Sequence, residues 1–304
     1  MVGGANVDIS ARYETKTANH IDSYPGSIST SAGGVARNIA ENLARLGTPV
    51  RLITGLGNDF YSSIIRASLT LPLINITASR SLPNMPSDTY LSLHDKSGEL
   101  VCAVNQMALV DSITPDYLSR FERTIARSLF LAADCNLPEE SIGWLTELKN
   151  RAPIFIDTVS VHKATRLAPY LNRCDGLKCN RMEATTLLGL SHNATAYELT
   201  ERLCDAGVGT VILSLGKDGV FLRNKDGLRQ LQQNLVPRTI SSTNGAGDAL
   251  LAGFIHGIVC DMGTEKAIQL GLKAAEMALG AASAVHPNVG DVIKSKVIIP
   301  CEKS

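Results

Sequence analysis

Pro153-Ile154-Phe155-Ile156-Asp157-Thr158 and, further on, Gly176-Leu177-Lys178-Cys179-Asn180-Arg181-Met182-Glu183 decide how this chain is read. Each begins as a short apolar run and stops on a polar residue. The same pattern recurs at Val50–Thr54 before Gly55-Leu56-Gly57-Asn58-Asp59, at Ser128–Ala133 before Asp134-Cys135-Asn136, and at Thr210–Leu215 before Gly216. Helix-like stretches separate the runs. Short apolar strands alternating with helices predict βαβ units and a mostly parallel sheet with helices on both faces. Asp134, Asn136, Asp157, Asn180 and Ser214 all fall at the carboxyl ends of such strands. In open α/β sheets that edge is where ligands bind. Any one of these residues also fits a plain turn; together they predict a site on that edge.

Two regions break the rhythm. Thr89–His94, a turn at Asp95-Lys96-Ser97-Gly98, and Glu99–Val104 read as an antiparallel hairpin. Ile9 to about Ser31 is polar, contains Pro25-Gly26, and reads as further strand or loop. Together the segments about 9–31 and 86–107 suit a small sheet standing off the main body. As a lid it would exclude water from reactive phosphates; as ornament it would do nothing.

The bulk numbers exclude several classes. With 304 residues the chain is long enough for a sizeable core. Lys+Arg and Asp+Glu balance at 29 each, with no basic run, which argues against nucleic acid or an anionic membrane as partner. Aromatics at 5% argue against a base-stacking platform. The seven cysteines are scattered, without a CxxC pair, and fit a reduced, cytoplasmic setting. No apolar run reaches membrane-spanning length. The histidines lack metal-ligand spacing, and no G-x-S-x-G occurs, so zinc-enzyme and serine-hydrolase readings have little support.

Four motifs carry chemistry. Asn244-Gly245-Ala246-Gly247-Asp248 opens a helix, so bare backbone and the positive helix end suit an anion. Asp248 sets a carboxylate beside that anion, where a general base for an attacking hydroxyl belongs; an ordinary acidic first turn fits equally well. No Walker A motif exists, and Leu250 stands where a dinucleotide fingerprint needs its third glycine. In the second motif, Gly33-Gly34 opens a helix whose Val35, Ile39, Leu43 and Leu46 share a face and which Gly47 ends. Asn38 lies one turn in, positioned for a ligand or for solvent. Gly4-Ala5-Asn6-Val7-Asp8 follows a very short first strand, and Asp8 suits a vicinal diol. Asn180-Arg181-Met182-Glu183 suits water-mediated Mg²⁺ binding, a capping box, or both.

In this order the motifs, with Leu215-Gly216, resemble the ribokinase-like (PfkB) carbohydrate and nucleoside kinases along essentially the whole chain. Thr89–Leu93, Ala133–Asn136, Asp157–Ser160 and the Gly33–Gly47 helix are similar to the pseudouridine kinases of that family. The resemblance implies one domain over residues 1–304, a three-layer α/β/α sandwich with a mostly parallel sheet and a small β-sheet lid, often dimeric through the lid. It implies ATP with Mg²⁺ as cofactors and the ribose 5′-hydroxyl of pseudouridine as acceptor, or else another nucleoside or a free sugar such as ribose or fructose. Asp248 matches the catalytic base, and the Gly245-Ala246-Gly247 amides match the anion hole. Asn180, Ser214, Gly216, Gly219 and Asn244 match nucleotide positions, and Glu183 the Mg²⁺ position. Asp8, Gly34 and Asn38 match ribose positions; Thr89 and Asn105 are the candidates for contacts with the base. Ser242 stands where many members carry Asp in a D-T-x-G-A-G-D pattern, so activation by a monovalent cation such as K⁺ is not implied. Only Met1 and Val2 precede the Gly-rich first turn, which predicts a shortened central strand.

Overall fold

The computed structural model describes residues 1–14, 23–191, 193–231 and 244–294. Strands β1 (Asn6–Tyr13) and β2 (Gly26–Gly33) lead into α1 (Val35–Arg45), β3 (Val50–Arg51), β4 (Gly55–Leu56) and α2 (Phe60–Ser68). Next come β5 (Ile74–Asn75), β6 (Arg80–Ser81), β7 (Thr89–His94), β8 (Leu100–Gln106), α3 (Pro115–Ser119) and α4 (Glu122–Ala126). The repeating part follows as β9 (Leu131–Asp134), α5 (Glu139–Glu147), β10 (Ile154–Asp157), α6 (Val161–Ala164), β11 (Gly176–Asn180), α7 (Arg181–Leu188), α8 (Ala196–Asp205) and β12 (Thr210–Ser214). Then β13 (Val220–Asn224) and β14 (Gly227–Leu231) precede α9 (Ala246–Val259), α10 (Thr264–Leu279) and α11 (Asp291–Lys294).

The main sheet has the order β14-β13-β12-β11-β10-β9. Its β9 to β12 run parallel, and β13 and β14 turn back antiparallel. Beyond β9 the layer continues through Val2, which bridges Ala133 on one side and Ile53 on the other. That short strand is tied by Val2 N–H to the Ala132 carbonyl at 2.9 Å and by Asp134 N–H to the Val2 carbonyl at 3.2 Å.

Alternation along each strand builds two cores. Leu131, Ala133, Ile154, Ile156, Leu177, Cys179, Val211 and Leu213 pack against Ile142, Leu145, Leu187 and Leu199 of α5, α7 and α8. Ala132, Phe155 and Ile212 point the other way, against Ile39 of α1, Leu250 and Phe254 of α9, and Ile268 of α10. Each Val, Leu, Ile or Phe among them contributes about 1.5–3 kcal/mol when fully buried. Three layers result, and both faces of the parallel strands are covered, as all-parallel pairing requires.

The second sheet has the order β2-β1-β7-β8 and stands apart. Its hairpin β7–β8 closes at Asp95, whose Oδ1 accepts the Ser97 and Glu99 N–H groups at 2.8 and 2.9 Å. Asp8 aligns with Ser31 on β2 and with Tyr90 on β7, and Tyr90 with Asn105 on β8. Opposed residues share a face, so Asp8, Ser31, Tyr90 and Asn105 lie on one side. Ile9, Ala11, Ile28, Leu91, Leu93 and Val104 lie on the other.

A boundary and an element differ from the expected reading. The run from Ser128 becomes a strand only at Leu131, and Leu129 is 83% exposed. The β13–β14 hairpin, unread in the sequence, closes the far edge of the main sheet. None of the six described cysteines is in a disulfide. Among the described residues, no helix is long and apolar enough to cross a membrane.

Candidate active site

Gly245 caps α9 at φ 83, the left-handed region that favours glycine. A Cβ there would land on the Ala284 carbonyl oxygen, so no other residue fits this turn. The first N–H groups of α9 have no intrahelical acceptor and aim at the carboxyl edge of the sheet. Asp248, in that first turn, is buried, and its Oδ2 accepts a 2.7 Å hydrogen bond from Asn38 Nδ2. Burial first, then the nearby Asp157 and Asp134 carboxylates, push the Asp248 pKa up to about 7, against the pull of Lys178 and Asn38.

Asn38 reaches Asp248 because α1 begins beside the first strand. Gly34 caps α1 at φ 97, and the Arg37 N–H bonds the Gly4 carbonyl at 3.2 Å. Asp134, at the end of β9, ties these pieces together. It accepts from Gly4 N–H at 3.1 Å, Ala36 N–H at 2.8 Å and Asn136 N–H at 2.9 Å. Burial nevertheless pushes its pKa up to about 6, with Asp157 adding to the rise. Two helix starts and three strand ends therefore meet at one edge.

Arg37 and Lys178 sit there as well, and the sequence reading singled out neither. Arg37 is buried, donates to the Gly33 and Ala32 carbonyls at 3.2 and 2.9 Å, and pairs with Glu41. It lies in the electrostatic reach of both Asp8 and Asp248. Lys178 is buried inside β11, with Nζ 3.0 Å from Asp157 Oδ2. Burial opposes its charge, but Asp157, Glu183 and Asp248 outweigh burial and hold its pKa above the ordinary lysine value. A lysine within an apolar strand was the signal available in the sequence, since buried ammonium groups need a partner.

Asn180 and Glu183 form a reciprocal capping box at the start of α7. Asn180 Oδ1 accepts the Glu183 N–H at 2.9 Å, and Glu183 Oε2 accepts the Asn180 N–H at 2.8 Å. Thr158 Oγ1 donates to the same Oε2 at 2.6 Å. Ser214 lies beside Asn180 in register, its hydroxyl bonding the Cys179 carbonyl at 3.2 Å. Gly216 and Gly219 bound the next turn at φ 60 and 85, and Asn244 is exposed just before Gly245. Ser242 and Thr243 lie outside the described residues.

From the second sheet, Asp8 points toward this edge. Its Oδ1 accepts from Asn6 Nδ2 at 2.6 Å, and burial raises its pKa against the pull of Asn6 and Arg37. Asn105 shares Asp8's face. Thr89 does not, because its register with Val7 and Gln106 puts it on the opposite face; Tyr90 is the β7 residue beside Asp8.

Among the described residues, no cluster of three or more His, Cys, Asp or Glu could hold a metal. The carboxylate of Glu183 is buried and engaged, which fits a Mg²⁺ that arrives on phosphates and keeps its waters, rather than a protein-built cage.

The sequence pattern of the pfkB family carbohydrate kinases matches residues 1–289. The pseudouridine kinase of Escherichia coli (strain K12) is 33% identical over 291 residues, which is 95% of this chain and 92% of that protein. A carbohydrate kinase from Agrobacterium tumefaciens superposes with a TM-score of 0.83 at 27% identity, covering 99% of this chain and 97% of that one. The ribokinase of Arabidopsis thaliana, solved with ribose and ATP, gives a TM-score of 0.82 at 20% identity, covering 100% and 98%. That last likeness speaks for the fold alone, and the three-layer body is ribokinase-like.

Proposed function

The chain belongs to the pfkB family of carbohydrate kinases, phosphotransferases with an alcohol acceptor, and on that premise we propose that it transfers the γ-phosphoryl of ATP to the ribose 5′-hydroxyl of pseudouridine. The observation that carries the reading is the Asn38–Asp248 contact at the start of α9. It joins a ribose-type amide, a carboxylate poised to take a proton, and an anion-binding helix start.

In this reading Asp248 accepts the proton of the acceptor hydroxyl as that oxygen bonds the γ-phosphorus. The bond to the β,γ-bridging oxygen breaks, and ADP leaves. The Gly245, Ala246 and Gly247 amides hold the oxygens of the transferring group, so positioning and charge stabilisation supply most of the rate. Asp8, Gly34 and Asn38 hold the ribose. Tyr90 and Asn105 face the base, in place of the Thr89–Asn105 pair expected from the sequence. Asn180, Ser214, Gly216, Gly219 and Asn244 line the nucleotide's side of the edge. Mg²⁺, when bound, neutralises the phosphates, with Glu183 acting on it through water.

The second sheet, β1, β2, β7 and β8, serves as the lid of a single domain; residues 15–22 of the expected lid segment 9–31 lie outside the described residues. Its other face leaves Ile28 77% and Val104 64% exposed, an apolar surface suited to a second copy of the chain. The six described cysteines form no disulfide, which suits a reducing cytoplasm. A second reading, another nucleoside or a free sugar such as ribose or fructose, has support because Asp8, Gly34 and Asn38 address only the ribose-like diol.

The test is turnover of ATP-Mg with pseudouridine, uridine, adenosine, ribose and fructose, followed by ADP release and product mass. Pseudouridine is expected to give the highest kcat/KM; preference for another acceptor by tenfold or more would move the assignment to that acceptor. With its pKa pushed up to about 7, Asp248 is protonated and idle below that value. We expect kcat/KM to rise through pH 7 with one ionisation, and Asp248→Asn to lose this limb along with roughly 10²–10⁴ of the rate.

A further inference from the structure

We propose that Lys178 is a further catalytic residue, whose ammonium contacts the transferring phosphoryl group at the Gly245–Gly247 turn. The inference rests on the kinase reading above and adds to that site a cation at the phosphoryl turn itself.

Three observations carry it. A Cβ built on Gly247 would stand 2.5 Å from Lys178 Nζ, so the ammonium occupies the space beside the anion-binding turn. Gly247 thus does more than relax the backbone; its missing side chain is what lets the lysine reach the turn. Secondly, Nζ carries three donors, and Asp157 is the one carboxylate within ion-pair distance among the described residues. The remaining donors of a buried ammonium call for acceptor oxygens, which phosphoryl oxygens at this turn would supply. Thirdly, Asp157 is prepared to hold the lysine. Its Oδ1 accepts the Val159 N–H at 2.8 Å across a turn in which Val159 takes φ 66. A β-branched residue is disfavoured there, and such strain gathers at functional sites. With Oδ1 engaged, Oδ2 faces Lys178.

The neighbours explain why a lysine is needed. Asp134 from β9, Asp157 from β10 and Asp248 from α9 crowd the edge, with Arg37 of α1 turned toward Asp8 and Glu41. Lys163 of α6, bonded to Asn136, stands by Asp134 instead. Lys178 supplies the compensating charge at the atoms where negative charge is transferred, and it also draws down the pKa of Asp248. Asp157 acts through Lys178 and is a positioning residue.

The test compares wild type, Lys178→Met and Lys178→Met/Asp157→Asn on whichever acceptor the wild type phosphorylates. The double variant also neutralises Asp157, the carboxylate in direct ion-pair contact with Lys178, so it guards against a folding failure of the single one. We expect kcat to fall about 10²–10³-fold in both, with the acceptor KM within about threefold. In Lys178→Met the acid limb of kcat/KM should move above pH 7, because Asp248 loses its cation while Asp134 and Asp157 remain. ADP with aluminium fluoride, a mimic of the transferring group, should bind at least about 100-fold more weakly to both, and ADP alone unchanged. A kcat within threefold of wild type, unchanged binding of the mimic, or a loss of acceptor binding equal to the loss of rate would each overturn the assignment. Should the wild type phosphorylate no acceptor, the kinase reading itself fails, and the binding of the mimic alone decides the role of Lys178.

Discussion

Strands β9 and β10 of the main sheet are four residues long and buried throughout, whereas β2 and β8 of the second sheet are eight and seven residues long and mostly exposed. The short strands suffice because helices cover both faces, and each apolar side chain is fully used. What they end in is the expensive part: Asp134, Asp157, Lys178 and Glu183 are all buried at or near one edge. Each charge there persists through a partner, whether backbone amides, an ion pair or a cap. The long strands have no such enclosure. They present a polar face around Asp8, Tyr90 and Asn105 and an apolar face on which Ile28, Leu91 and Val104 are exposed. Rigid burial sets the charges, and an exposed sheet offers the adaptable contacts; the two meet at β1, where Asn6 and Val7 are buried and Asp8 is half-buried.

The contrast is broken most severely at the buried edge. Gly245→Ala sets a Cβ against the Ala284 carbonyl and strains a left-handed turn, so the first amides of α9 must move. A kcat loss of about 10³-fold is expected, with far-UV circular dichroism unchanged. If the rate falls less than tenfold, the turn is not the phosphoryl cradle. On the exposed sheet, Ile28→Lys with Val104→Lys should leave the far-UV circular dichroism unchanged, since both side chains lie in solvent in the single chain. Ultracentrifugation should show a monomer, and the acceptor KM should rise by about tenfold, the factor that 1.4 kcal/mol of lost lid order represents. A dimer that survives the change would place the interface elsewhere.

The smallest effect sharpens the comparison. Because the folded Asp248 pKa is about 7 against 3.8 in an unfolded chain, folding favours its protonated form. That contribution is complete below pH 3.8 and is lost as pH rises through 7. Asp248→Asn stays neutral, so its melting temperature should exceed that of the wild type at pH 8 by several degrees, and the gap should close toward pH 4. A gap independent of pH would mean that the carboxylate is not buried at a cost.

Much of the fold was legible because its signals are local. The glycine starts of α1 and α9 and the Asp95–Gly98 turn are each decided within a few residues of chain. So is the Asn180–Glu183 box, whose two readings the structure resolves only in part: the box is formed, and Thr158 takes the carboxylate oxygen it shares. The polar strand ends were also readable, since a polar residue closing an apolar run has few places to go but the sheet edge.

What escaped depends on register between distant strands. Thr89 and Tyr90 are adjacent and equally plausible in the sequence. A one-residue difference selects the face, and pairing with β1, some 80 positions away, makes that choice. Lys178 reads as a stray charge until Asp157 appears beside it across β10 and Gly247 above it. Asn38 and Asp248 stand 210 residues apart, and their hydrogen bond exists only because two helices start at one edge. By itself the sequence determined most of the elements, several of their caps and the sheet edge on which polar residues gather, because backbone preference and side-chain periodicity act over a few residues. Which charges face one another, and therefore which carboxylate is held near neutrality and which lysine is kept charged, was decided by the tertiary structure alone, because burial and Coulomb interaction depend on distance in space.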